Sequence, residues 1–175
     1  NPSGKLTMSF PKNVGQVPLY YAAKNTGRPL LEGRWFEKFR SNYLDVDNAP
    51  LYPFGYGMSY TTFEYSPIAI SATEVAAGGS VTAEVTVTNT GKVAGKEVVQ
   101  MYLQDVVGTT TRPLRELKGF EKISLEPGES KVVKFEITPE LMSHYNSNLE
   151  LVAEPGEFIV SVGADSRTKN SASFI

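Results

Sequence analysis

From Thr62 onward apolar and polar residues alternate with a period of two. Val81, Ala83, Val85 and Val87 are separated by Thr82, Glu84 and Thr86, so one face of that stretch is apolar and the other can meet water, the signature of a half-buried strand. The same alternation runs through Val99, Met101 and Leu103, through Val133, Phe135 and Ile137, and through Phe158, Val160 and Val162. Phe63 to Ser71, Phe120 to Leu125 and Ser171 to Ile175 bring the expected number of strands to seven. Turn residues separate them: Gly78-Gly79, Asn89-Thr90-Gly91, and two Glu-Pro-Gly-Glu tetrads at 126–129 and 154–157, which suit hairpins. Short strands at this spacing predict an all-β sandwich. The one helical signal is Thr138-Pro139-Glu140-Leu141, a capping hydroxyl followed by Pro at the first helical position and an acid in the first turn.

The first 61 residues read differently. Leu6, Met8 and Phe10 alternate as one short strand, after which Pro11, Pro18, Pro29, Pro50 and Pro53 interrupt the chain, so this strap should carry little regular structure. Phe54-Gly55-Tyr56-Gly57 places two residues tolerant of positive φ beside two rings, as for a chain bending tightly against a packed surface. The opening Asn1-Pro2-Ser3-Gly4 is turn-like, and the expectation is that a further portion precedes it.

Composition sharpens the division. Residues 1 to 65 hold seven of the nine Tyr, five of the nine Phe and the single Trp. A short segment cannot bury so many rings alone, because each wants about 150–250 Å² of cover; the strap needs a partner surface. Residues 1 to 60 carry seven Lys and Arg against four acids, about +3, which leaves −5 for the rest of a chain whose formal charge is −2. No basic, aromatic-interleaved groove for nucleic acid is expected from this balance. There is no cysteine, which removes disulfides, thiolate metal sites and a thiol nucleophile. No apolar run approaches the ~20 residues a spanning helix needs, so no membrane partner is expected either.

Candidate chemistry is sparse. Asp45 and Asp47 are the best-spaced carboxylate pair for glycoside hydrolysis, but Ser41 to Pro50 reads as a polar loop, where solvated acids are the commoner case. Pro50 stands where a calcium loop starting at Asp45 would need Gly, and no metal or cofactor is expected. His144 is the only histidine, with no partner near it in sequence, and reads as a surface or half-buried packing residue. The segment from Gly27 to Tyr43 combines rings that can stack on sugar faces with guanidinium groups that can bond hydroxyls. Arg28, Trp35, Phe36, Phe39 and Arg40 are its substrate-binding candidates, against the plainer reading of a protein-docking surface.

Several motifs occur together and in order: Asn1 to Pro11, Asn25 to Pro29, Leu51 to Thr61, Val87 to Gly91, Val98 to Asp105, Arg112 to Phe120 and Glu154 to Phe158. These resemble the C-terminal portion of glycoside hydrolase family 3 β-glucosidases, especially the bacterial periplasmic type, across essentially the whole chain; Leu30 to Asn42 lies outside the matching motifs. The resemblance implies a retaining, exo-acting β-glycosidase built from a (β/α)8 barrel, an α/β sandwich and a terminal fibronectin type III-like domain. The nucleophile and the acid/base of such enzymes lie on the two preceding domains, so no catalytic residue is expected here. The expected fold is then a fibronectin type III-like (immunoglobulin-like) β-sandwich of about seven strands over 62–175. Before it, 1–61 would be the tail of the α/β sandwich domain, with one of its strands, and the linker strap. The implied partners are those upstream domains, a β-glucoside or oligosaccharide substrate of the intact enzyme, and a second copy in a homodimer; the implied location is periplasmic or secreted. Two other classes compete: a carbohydrate-binding module, which would display a row of planar rings on one sheet face, and an extracellular spacer or adhesion domain.

Overall fold

The computed structural model describes residues 1–28 and 37–175. Among them the strands are β1 (Phe63–Tyr65), β2 (Ala69–Ile70), β3 (Val81–Asn89), β4 (Gly95–Asp105), β5 (Glu116–Leu125), β6 (Ser130–Ile137), β7 (His144–Tyr145), β8 (Leu151–Val152), β9 (Phe158–Gly163) and β10 (Ser171–Phe174). A helical turn, α1 (Pro139–Met142), follows β6. Thr138 precedes it with extended backbone, yet its hydroxyl makes no capping bond and instead lies 3.3 Å from Glu140 Oε2.

Two antiparallel sheets pack face to face. In the first, β3 is central, with β1 and β2 along one edge and β6 along the other; the second runs β10-β9-β4-β5. The segment expected as one strand over 63–71 is broken into β1 and β2. Pro67 has no N–H for the ladder, and at the break the Ser66 hydroxyl accepts from Thr86 N at 2.9 Å. The alternation read from the sequence sets the core: Val81, Ala83, Val85 and Val87 of β3 are all but inaccessible, facing Met101, Ile123, Phe158 and Val160 of the second sheet. Each such Val, Ile, Met or Phe side chain contributes about 1.5–3 kcal/mol by leaving water.

Neither Glu-Pro-Gly-Glu tetrad closes a hairpin. The first joins β5 to β6, which belong to different sheets. Its Gly128 has φ +79° and donates to Asn89 O, while Asn89 N donates to Glu129 O, both at 2.9 Å; the turn is stitched to the end of β3, so the chain arches between the layers. The second leads from β8, in the small β7–β8 hairpin, to β9 in the second sheet.

β4 departs from simple alternation. Val99 through Leu103 are buried without a break, because the outer face of β4 is covered by the strap. The strap folds on itself first. Leu6 N donates to Tyr56 O, Gly55 N to Leu6 O, Phe10 N to Tyr52 O and Leu51 N to Phe10 O, each at 2.8 Å. The expected strand at Leu6 to Phe10 is thus present as spaced antiparallel bonds with one bridge, Phe10 to Tyr52, rather than as a ladder. Its other fixed point is Gln16, fully buried, whose amide donates to Asp47 O and Ala49 O and whose oxygen accepts from Lys12 N.

Candidate functional site

The strap meets β4 through a polar and aromatic seam. Gln100 Nε2 donates to Gly55 O at 3.0 Å and to Ala164 O at 2.5 Å, and its oxygen accepts from the Tyr102 hydroxyl at 2.6 Å. Gly55 has φ +81°, and a Cβ there would overlap the Gln100 carboxamide, so glycine is required for the approach. Tyr21 stacks on Phe54 with centroids 4.0 Å apart and meets Tyr102 edge-on at 6.3 Å. Lys5 reaches from the strap to Glu97 at 2.8 Å, with both side chains largely out of solvent. Glu97 also accepts from the Tyr65 hydroxyl at 3.1 Å; burial first, then the Glu97 charge, raises the Tyr65 pKa, so that hydroxyl stays a donor. Further along, Leu114 N donates to Ala23 O and Ser166 N to Phe54 O.

One side of the strap is therefore seated. Other strap residues are uncovered: Met8, Val14, Val17, Tyr20, Leu44, Met58 and Tyr60 are all more than 60 % exposed. Phe10, Leu51 and Tyr52 are exposed too, with Tyr52 stacked on Tyr56 at 5.0 Å. Among the described residues, eleven of the nineteen large exposed apolar ones lie in this segment, an apolar concentration of the kind that marks an interaction surface.

Three of the sequence-derived substrate candidates, Arg28, Phe39 and Arg40, fall among the described residues. Phe39 is 82 % exposed with φ +63°, Arg40 Nε is tied to Glu37 Oε2 at 2.8 Å, and Arg28 is exposed with its carbonyl accepting from Ser41 N. Trp35 and Phe36 lie outside the described residues. Asp47 receives two bonds of 2.8 Å from Lys12 Nζ and one from Ala49 N, and the Lys12 bond is the first reason its pKa is lowered. Among the described residues no group of three His, Cys, Asp or Glu could hold a metal ion.

His144 corrects its sequence reading, for it is buried, only 4 % exposed. Its Nε2 lies 3.7 Å from Glu154 Oε1 and its Nδ1 4.0 Å from Asp105 Oδ2. Arg112 stands 3.7 Å from Asp105 and 3.1 Å from Glu116. Thr109 donates to Glu154 through its backbone N at 2.7 Å and through its hydroxyl, which lowers the Glu154 pKa. Asp105 moves the other way, raised chiefly by burial and only partly offset by Arg112 and His144. The partners come from the end of β4, the loop after it and the 154–157 turn, so no local spacing could have disclosed them. This cluster brings that loop and the β7–β8 hairpin together at the end of β4.

Fold and seam together define a class, a fibronectin type III-like sandwich wearing a strap on one outer face, and residues 97–166 match the family model described as a fibronectin type III-like domain. Beyond that segment nearly the whole chain is similar to a periplasmic β-glucosidase of Salmonella typhimurium, 52% identical over 174 residues, 99% of this chain and 23% of the relative. A β-xylosidase of Formosa agariphila is 48% identical over 95% of this chain and 22% of its own length. Among solved structures, a Listeria innocua β-glucosidase in complex with glucose superposes with a TM-score of 0.92 at 48% identity, covering 99% of this chain and 24% of that one. The resemblance drawn from the motifs is borne out, and the chain spans about a quarter of the length of the relatives it matches.

Proposed function

We propose that the chain is the C-terminal bracing part of a periplasmic β-glucosidase that removes terminal β-glucosyl groups. In this reading 62–175 is the fibronectin type III-like domain, and 1–61 belongs to the enzyme body. The catalytic carboxylates sit on the preceding barrel and α/β domains. The observation that carries this is the strap's double character: it is locked onto β4 through Gln100, Tyr102 and Glu97, while it offers Met8, Tyr20, Met58 and Tyr60 to a surface outside the chain. A brace has this form, since it must grip both of the bodies it joins.

A carbohydrate-binding module fits less well. Among the described residues the exposed rings of the sandwich are Phe120 and Tyr145, which lie on different sheets and form no row. Phe135 and Phe158 are core residues. The loop bearing Arg28, Phe39 and Arg40 is assigned to docking in this reading. The test is an aryl β-glucoside assay. The complete polypeptide turns over and the purified 175-residue chain does not; release of the aryl group by the isolated chain above the buffer rate contradicts the proposal.

A further inference from the structure

The β7–β8 hairpin forms a two-stranded sheet of its own, separate from the two sheets of the sandwich. A lone hairpin is marginal unless something packs against it, and between Ser143 and Glu157 the one buried residue is His144. Its imidazole therefore seats the hairpin. Asp105, at the end of β4, places Oδ2 4.0 Å from the ring Nδ1, and Glu154, in the turn before β9, places Oε1 3.7 Å from Nε2. Arg112 Nε stands 3.7 Å from Asp105, but that guanidinium donates through Nη2 to Glu116 of β5 at 3.1 Å, and Glu116 also faces Lys118 at 3.7 Å. Both ring nitrogens, Asp105 Oδ2 and Arg112 Nε are buried without a hydrogen bond, and among the described residues they are the only side-chain atoms in that condition. Buried polar atoms are nearly always paired, so their concentration in one cluster calls for a cause.

The chemistry of the ring supplies one. A neutral imidazole has one N–H and one lone pair, so with an acid beside each nitrogen one of the two acids always meets a lone pair. The imidazolium presents an N–H to both. From 3.7 and 4.0 Å a small movement of the hairpin turns both contacts into charge-assisted hydrogen bonds. Asp105 gains most from such a donor, because burial raises its pKa and Arg112 and His144 offset this only in part. Glu154 is kept in its charged form by the two bonds from Thr109, which lower its pKa. We infer that the cluster is a proton-operated latch: with its second proton the His144 ring grips Asp105 and Glu154 and holds the hairpin on the sandwich, and when that proton leaves the hairpin is released. The stabilisation is thus present on the acid side and is lost as pH rises through the titration of the ring. Release frees Tyr145, Leu149 and Leu151, the exposed apolar residues of the hairpin, from a fixed arrangement. The latch is independent of the bracing role of the strap.

NMR of the 175-residue chain tests this, since His144 is its only histidine and the ring signals need no further assignment. Ring titration and amide exchange are followed together between about pH 5 and 8, where histidine changes charge, with exchange corrected for its intrinsic dependence on base. The amides to watch are those of Asn146, Leu149 and Glu150, all bonded within the hairpin. Their protection is expected to fall severalfold with the same midpoint as the ring, while amides of β3 hold. Glu154→Gln keeps an oxygen for Thr109 but removes one charge facing the ring, and should move both midpoints to lower pH. His144→Gln cannot take up the proton and should give weak hairpin protection at every pH. Should that variant fail to fold, the wild type and Glu154→Gln still decide. Hairpin protection that stays level while the ring titrates, a midpoint unmoved in Glu154→Gln, or a pH dependence that survives in folded His144→Gln would each overturn the latch.

Discussion

Gly55 shows how narrowly the strap is fitted. It combines φ +81° with a close approach to Gln100 and Tyr102, so Gly55→Ala both strains the backbone and forces apart the polar seam. A loss of about 2–4 kcal/mol in urea denaturation is expected; a loss under about 0.5 kcal/mol would show that the strap lifts away freely. Asp105 makes a second residue-scale case. Its folded pKa lies above its ordinary 3.8 because burial disfavours the charge. The folded state therefore binds the proton better than the unfolded chain does. The associated stabilisation is complete below 3.8 and is lost as pH rises through the raised value. Asp105→Asn cannot titrate, so wild type should lose stability relative to the variant as pH climbs out of the acid range; parallel stability curves from about pH 3 to 7 would refute the assignment. Glu154, on the other side of His144, has its pKa lowered by its two bonds from Thr109.

At the scale of elements, much was legible because the sandwich follows a period of two. β3, β4, β6 and β9 fall where Val, Met, Leu, Ile and Phe alternate with polar residues, and the inward set is the buried set. The helical turn lies at its Thr-Pro-Glu signal. Pairing was less legible, since it depends on partners distant in sequence. Identical Glu-Pro-Gly-Glu tetrads suggested hairpins, yet the first is an arch because Asn89 holds it. Asn89 itself looked like turn punctuation. It is fully buried, donates to Val93 O and Leu125 O and accepts from Gly91 N and Thr61 Oγ1, thereby joining β3, β5 and the end of the strap. Asn89→Ala leaves several of these groups unpaired at about 1–3 kcal/mol each. A total loss above about 3 kcal/mol is expected from denaturant titration, and one below about 1 kcal/mol would mean that water replaces the side chain. The double burial of β4 was hidden for a similar reason: Gln100 and Tyr102 occupy the polar positions of the alternation, and only the strap's return across the sheet buries them.

For the whole molecule, the excess of rings in the strap pointed to a missing partner, and the structure divides that excess. Tyr21 and Phe54 stack against the sandwich, whereas Tyr20 and Tyr60 remain 70 % and 78 % exposed. Part of the requirement is thus met within the chain, and relatives are matched over 99% of this sequence, strap and sandwich together. The exposed part is what the bracing role uses. Sugar-binding and protein-docking surfaces draw on the same Arg and aromatic residues, so residue types alone could not assign the Gly27–Tyr43 segment to one or the other. Backbone hydrogen exchange is the direct measurement, comparing segment 1–61 in the isolated chain and in the complete polypeptide. Slower exchange is expected around Met8, Val14 to Tyr20 and Leu51 to Tyr60 when the body is present, with β3 and β9 unchanged. Equal exchange across the strap in the two forms would contradict the account.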